Sequence, residues 1–261
     1  MTRIAVVNCN ATAGMTQVIA ARARAAVQPG TEIVPITPRW GVASAEGWFD
    51  SFVSAAAVLY ELERLPDGID GVVMAGFGEH GREGARELLD VPVVDITEAA
   101  AHMAMPLGRR FGIVTPLARS VSQIEDSLAT AGLLGRCAAV EDIGLSVLNL
   151  DSDPGHTRAA FAAAALRAIG RGAEVICLGC AGLAGIEQHL RDQVPVPVVD
   201  GVAAAAAMVE TLIRSGLTTS KAGSYARPLS KARTWSPQRD EEPGPDAWTP
   251  LTHQPARKEN E

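Results

Sequence analysis

The chain has 261 residues, 47% of them hydrophobic and 20% charged, with 25 glycines and 16 prolines, a composition that suits a folded globular protein and excludes disorder throughout. Its 23 basic and 30 acidic residues give a net charge of -7, so nothing recommends nucleic acid or an anionic membrane as partner. Four cysteines, Cys9, Cys137, Cys177 and Cys180, spread over this length do not make a secreted disulfide framework, and the four apolar residues from Ile4 to Val7 are too few for a signal-peptide core or a membrane span. A reduced, cytoplasmic protein is expected.

Short β-branched runs alternate with alanine-rich stretches of helical spacing. Strands are predicted at 4–8, 32–36, 71–75, 91–95, 111–115, 138–143, 174–178 and 196–200. Helices are predicted near 14–28, 44–63, 82–89, 96–106, 117–131, 156–170 and 201–215. This is the βα alternation of an α/β fold with parallel sheets. After Leu217 aliphatic residues become scarce, and a disordered tail is expected over 229–261.

The two halves repeat one another. Residues 70–78, DGVVMAGFG, align without a gap on 174–182, EVICLGCAG, and Val91-Pro92-Val93-Val94-Asp95 is matched residue for residue by Val196-Pro197-Val198-Val199-Asp200. Arg3 to Asn8 likewise aligns on Arg110 to Thr115. Two similar lobes follow, related by a pseudo-twofold repeat: 1–95 plus 201–217 as the first and 96–200 as the second. Parallel sheets bind ligands at the C-terminal ends of their strands, and two lobes can set those ends face to face. The functional loops are therefore expected after Val7, Ala75, Val114 and Gly179.

Cys180 stands where a buried strand gives way to a Gly-rich turn, a place where flanking N–H groups and a following helix would lower a thiol's pKa. Cys177 lies mid-strand and reads as a buried apolar side chain. Together they spell C-x-x-C, but no second ligand pair accompanies them, so neither a metal nor disulfide exchange is expected. Cys9 falls in a functional loop with nothing beside it in sequence to mark a nucleophile. Asn8, Asn10 and Thr115 could equally satisfy turn backbone or contact a substrate. His80 reads as a surface histidine at a helix N-terminus, and His102 as packed on its helix. Glu46 and Asp50, four apart, are expected on one helix face. The repeat sets Gly76 opposite Cys180. Two opposed acid/base groups are what a racemase without a cofactor requires, because one removes a proton from carbon and the other returns it on the opposite face.

At this point the sequence resembles the aspartate/glutamate racemase superfamily, most closely its hydantoin and allantoin racemase branch, over residues 3–228. Asn8-Cys9-Asn10-Ala11-Thr12 with Met15-Thr16 is similar to that branch's N-P-N-T-S and M-T opening, with Cys9 in place of proline. Residues 41–50, GVASAEGWFD, resemble G-P-x-S-I-E-G-Y-Y-D; Gly76-Phe77-Gly78-Glu79-His80-Gly81 resembles C-F-G-D-P-G; and Leu178-Gly179-Cys180-Ala181-Gly182 reproduces L-G-C-A-G. The family's racemases carry a cysteine at both sites, and the first is Gly76 here. Arylmalonate decarboxylases of the same superfamily also pair a glycine with one cysteine, but Phe77 and Gly78 are unlike them.

The resemblance implies a racemase-like α/β fold and racemisation of a 5-substituted hydantoin or related ureide, an activity that Gly76 would impair. A single-cysteine decarboxylase or a non-catalytic ligand-binding protein are the alternatives. Cys180 would be the base or acid, with Gly76 at the other catalytic position. Backbone N–H groups of Phe77, Gly78, Ala181 and Gly182 would hold the enolate oxygen, and Asn8, Asn10 and Thr115 would orient the substrate. With no P-loop and no G-x-G-x-x-G after a strand, no cofactor or metal is expected. The expected partners are a small-molecule substrate and further copies of the chain. With Cys180 as sole base, one substrate enantiomer would exchange its proton and the other would bind inertly.

Overall fold

A computed structural model describes residues 1–150, 152–183, 186, 190 and 193–233. Met1–Leu229 form one compact unit and Ser230–Glu261 a second. Of the second, residues 230–233 are described, exposed and without helix or strand, and the rest of the expected tail lies outside the described residues.

Two four-stranded parallel sheets organise the first unit. One comprises β1 (Thr2–Asn8), β2 (Thr31–Ile36), β3 (Gly71–Ala75) and β4 (Val93–Asp95), in the order β2-β1-β3-β4. The other comprises β5 (Phe111–Thr115), β6 (Cys137–Asp142), β7 (Val175–Leu178) and β8 (Val198–Asp200), in the order β6-β5-β7-β8. The same order twice is the α/β architecture of two similar lobes that the repeat implied. Ile4 to Val7, Val72, Val73, Phe111 to Val114 and Val175 to Leu178 are all buried, which explains why these strands read as unbroken apolar runs rather than alternating ones.

The connecting helices are α1 (Ala13–Ala26), α2 (Trp48–Leu62), α3 (Arg82–Leu88), α4 (Ile96–Ala104), α5 (Val121–Thr130), α6 (Pro154–Gly170) and α7 (Gly201–Arg214). Two cross over: α4 leaves the first sheet and packs on β7 and β8, whereas α7 leaves the second and packs on β1, β3 and β4. Their alanine faces, Ala99 to Ala101 and Ala204 to Ala206, share one buried cluster with Val6, Val73, Ile113 and Val175 from both sheets. Both helices start on the aspartate that ends the repeated pentapeptide. Asp95 accepts hydrogen bonds from the N–H groups of Thr97 and Glu98, and Asp200 from those of Val202 and Ala203. A Cβ at Gly201 would stand 2.7 Å from the Ile96 carbonyl oxygen, so the two helix starts meet where only glycine fits.

Element boundaries differ from the sequence reading where proline or local turns intervene. The strands expected to begin at 91 and 196 begin at Val93 and Val198, because Pro92 and Pro197 have no N–H to give to a ladder; their carbonyls still accept from Val72 and Ile176, at 2.8 and 2.9 Å. The helix expected from 44 starts at Trp48. Glu46 therefore precedes α2, and its N–H is bonded to the Asp50 carboxylate at 3.1 Å rather than both residues sharing a helix face.

Candidate functional site

The C-terminal ends of β1, β3, β5 and β7 open into one cavity, the place where parallel sheets bind their ligands. Asn8, Cys9 and Asn10 enter it from β1, Ala75, Gly76 and Phe77 from β3, Thr115 and Pro116 from β5, and Gly179 to Gly182 from β7. Among the described residues that line it, the titratable side chains are Cys9, His80 and Cys180.

Cys180 lies two residues beyond the end of β7, after Gly179. Gly179 makes its approach possible: its N–H bonds the Val114 carbonyl at 2.8 Å, and a Cβ there would lie 2.7 Å from that same oxygen. The thiol sits at the start of a short 3-10 turn, Ala181–Leu183, whose Gly182 and Leu183 N–H groups favour the thiolate. Burial outweighs them, with Glu46 adding repulsion, and pushes the thiol up to about 11. The expectation of a lowered pKa is thus corrected: the donors are present, but desolvation is the larger effect. Cys177 is fully buried, its Sγ 3.5 Å from the Ala100 carbonyl, and burial raises its pKa strongly.

Gly76 lines the cavity with its side-chain space already filled. A Cβ built on it would meet His80 Cδ2 at 2.3 Å and Cys9 Cβ at 2.7 Å. His80 is not the surface histidine that sequence suggested. It is 5% exposed, because Gly78 and Gly81, at φ +118° and +94°, turn the loop inward before α3 begins at Arg82. Burial lowers its pKa to about 4, partly offset by the Phe77 carbonyl 3.4 Å from Nε2, and its Nδ1 has no hydrogen-bond partner. The Cys9 thiol, raised to about 12 by burial first and by Cys180 second, stands in the same cavity.

The other residues singled out from sequence divide. Asn8 Nδ2 donates to Asn10 Oδ1, the Thr12 carbonyl and Thr16 Oγ1, and its Oδ1 accepts the Asn10 N–H. Its amide holds the β1 loop and is not free to orient a substrate. Asn10 Nδ2 meets a weak acceptor, Met15 Sδ, at 3.4 Å. Thr115 lines the cavity with its hydroxyl donated to the Gly179 carbonyl at 3.3 Å. Gly78 does not line the cavity: its N–H is spent on Thr97 Oγ1 at 2.8 Å, which removes it from the expected oxyanion donors. Gly182 lines it, but its N–H serves the Cys180 sulfur instead. Phe77 and Ala181 remain in place at equivalent repeat positions.

Gln123, on α5, also lines the cavity and was not legible in sequence. Its Nε2 reaches the Glu79 carbonyl at 3.1 Å and also donates to Ser51 Oγ, which ties α5 to the loop that carries His80. Glu46 accepts the Val147 N–H at 2.8 Å and so joins the start of α2 to the second lobe at the cavity rim. His102 is exposed, with Nδ1 2.7 Å from the Glu98 carbonyl of its own helix. Among the described residues no group of three or more His, Cys, Asp or Glu is placed to hold a metal ion, and no helix is long and apolar enough to cross a membrane.

Comparison with known proteins matches residues 4–209 to the family described as Asp/Glu/Hydantoin racemase. The chain is similar to an allantoin racemase structure from Pseudomonas fluorescens, with 51% identity, 89% of this chain and 100% of that one covered, and a TM-score of 0.88. An allantoin racemase from Klebsiella pneumoniae is 43% identical over 90% of this chain and 96% of its own, with a TM-score of 0.86. A hydantoin racemase from Paenarthrobacter aurescens is 37% identical over 88% of this chain and 98% of its own length. Arylmalonate decarboxylase, 16% identical with a TM-score of 0.54, shares the fold.

Proposed function

The chain belongs to the Asp/Glu/Hydantoin racemase family, and we propose that it racemises a 5-substituted hydantoin or a related ureide such as allantoin by thiol-based proton transfer, without a cofactor. The observation that carries this reading is Cys180, seated in the interlobe cavity on a turn whose Gly182 and Leu183 N–H groups favour its thiolate.

The carbon to be inverted in such a ring lies between a carbonyl and a nitrogen, so its proton is acidic enough for a positioned base to remove. Cys180 as thiolate takes that proton, the C–H bond breaks, an S–H bond forms, and the electron pair moves onto the carbonyl oxygen. The Phe77 and Ala181 N–H groups, one from each lobe, are the donors we assign to that oxygen. Asn10, whose amide is engaged elsewhere by a thioether alone among its Nδ2 contacts, orients the ring. Ile19, Ala75, Phe77 and Val147 supply the apolar part of the lining, beside which these polar contacts are less screened than in bulk water.

The test is direct: each enantiomer of allantoin and of a 5-substituted hydantoin is incubated with the purified chain, and optical rotation is followed. Decay of rotation toward zero from both sides is expected. Gly76, which offers no thiol from β3, favours the decarboxylase as the second reading, and carbon dioxide release from an arylmalonate with no effect on hydantoin rotation would establish it.

A further inference from the structure

We propose that Cys9 is the second acid/base residue of this site, so that the thiol absent from the end of β3 is supplied by the end of β1. The proposal rests on the racemase reading above and names the group which that reading lacks. β1 and β3 are adjacent parallel strands with Asn8 paired to Ala75, so the next residues on each, Cys9 and Gly76, leave the sheet side by side. The Cβ that Gly76 lacks would fall 2.7 Å from Cys9 Cβ, so the Cys9 side chain starts out almost where a side chain at 76 would. The second lobe is built the other way round. There Val114 pairs with Leu178, which sets Pro116 beside Cys180, so β5 ends in the residue without a thiol and β7 carries the cysteine. One thiol from each lobe lines the cavity, and the charge of Cys180 adds to the rise of the Cys9 pKa.

His80 is the competing group, and its orientation argues against it. The ring turns its Cδ2–Cγ edge toward Gly76, which places Nδ1 on the far side, and Nε2 lies at the Phe77 carbonyl. Its role is to fill the volume beside Gly76 and fix Cys9 against it. The chemistry then balances over one turnover. A thiolate on one face accepts the carbon-bound proton, the thiol on the opposite face donates its proton to the same carbon, and the pair ends with the charge on the other sulfur, ready for the reverse reaction.

Cys9→Ala, Cys9→Ser and Cys180→Ser are made in the full chain, checked for folding by circular dichroism, and assayed with both enantiomers of allantoin in heavy water. The unmodified chain should exchange and invert both. Either Cys9 variant should lose inversion by about 100-fold or more, while one enantiomer still exchanges through Cys180 with retention. Inversion by Cys9→Ala within threefold of the unmodified rate overturns the proposal, as does an unmodified chain that exchanges one enantiomer alone. Exchange of neither enantiomer, nor of hydantoin, instead refutes the racemase reading, and the thiol pairing is then decided by alkylation. With iodoacetamide and mass spectrometry, the pH profile of Cys9 should move down in Cys180→Ser, and an unmoved profile overturns the proposal without any substrate.

Discussion

The two lobes carry the same sheet and end it differently. In the second, the central pair β5 and β7 leads into Pro116 and Cys180; in the first, β1 and β3 lead into Cys9 and Gly76. Neighbouring strands lie about 4.8 Å apart, so a side chain moved from one strand end to the next still reaches the same cavity. The fold therefore fixes where a reactive group must emerge without fixing which strand delivers it. What differs is the support. Cys180 has a turn whose Gly182 and Leu183 N–H groups favour its thiolate, whereas Cys9 has its own N–H and a packed histidine.

That asymmetry is broken most severely at Cys180. Replacement by serine should abolish inversion and the exchange of the enantiomer that faces Cys180, a loss of about 10²–10⁴-fold, because an alcohol is far less acidic than even a buried thiol; the other enantiomer should still exchange through Cys9. Deuterium incorporation measured by NMR checks this, and unchanged incorporation would remove Cys180 from the mechanism. The pH dependence sharpens the same comparison. In the mechanism we propose, the working state holds one thiolate and one thiol, with the two groups raised to about 11 and about 12. Below 11 the active fraction falls by about tenfold per unit, so exchange at limiting substrate should climb by close to a factor of ten per unit from pH 7 to 10. A flat profile over that range would mean that the ionisation is not that of a buried thiol.

Much of this was legible beforehand, and the reasons are physical. Fully buried parallel strands leave unbroken β-branched runs, and a repeated Val-Pro-Val-Val-Asp places both a strand and the cap of the next helix, so the eight strands and the four cavity loops could be read directly. The surroundings of Cys9 and His80 could not be read, because both depend on contacts across the sheet rather than along the chain. Nothing in Asn8-Cys9-Asn10 indicates that Gly76 sits beside it, and nothing near His80 indicates that Gly78 and Gly81 fold it inward. Gln123, 44 residues beyond Glu79, had no local signal at all. The pKa of Cys180 was misjudged for a related reason: the turn donors follow from sequence, but the depth of burial does not.

A pair of glycines tests the packing side of the comparison. A Cβ at Gly182 would find Cys180 Sγ at 3.6 Å and Leu150 Cδ1 at 3.9 Å, ordinary contact, whereas one at Gly76 would collide with His80 and Cys9. Gly76→Ala should cost about 1–3 kcal/mol, the usual penalty for overpacking, and Gly182→Ala much less. Thermal melts of the two variants make the comparison. For the same reason Gly76→Cys, which the repeat alone would recommend as a repair, is expected to destabilise the chain and to lower racemisation rather than raise it. Equal melting temperatures for Gly76→Ala and the unmodified chain would show that the His80 ring gives way freely, and the argument that it fixes Cys9 would fall with it.

The smallest effect is expected at the end of the chain, where two truncations divide what is pinned from what is not. Residues 219–227 run back over the first lobe. The Thr219 hydroxyl donates to the Val91 carbonyl at 2.7 Å, Lys221 Nζ to the Arg86 and Glu87 carbonyls at 2.5 and 3.1 Å, and the Tyr225 hydroxyl to Glu83 Oε2 at 2.6 Å, while Arg227 pairs with Asp90. At about 1 kcal/mol net for each well-made hydrogen bond, ending the chain after Leu217 should cost a few kcal/mol and loosen α3, the helix that follows His80. Ending it after Leu229 keeps every one of these bonds and removes a polar stretch whose composition buries little. That truncation should leave the melting temperature and the racemisation rate unchanged, within about 0.5 kcal/mol. A drop as large as that of the shorter chain would mean that residues 230–261, rather than 219–227, hold the first lobe's outer edge in place.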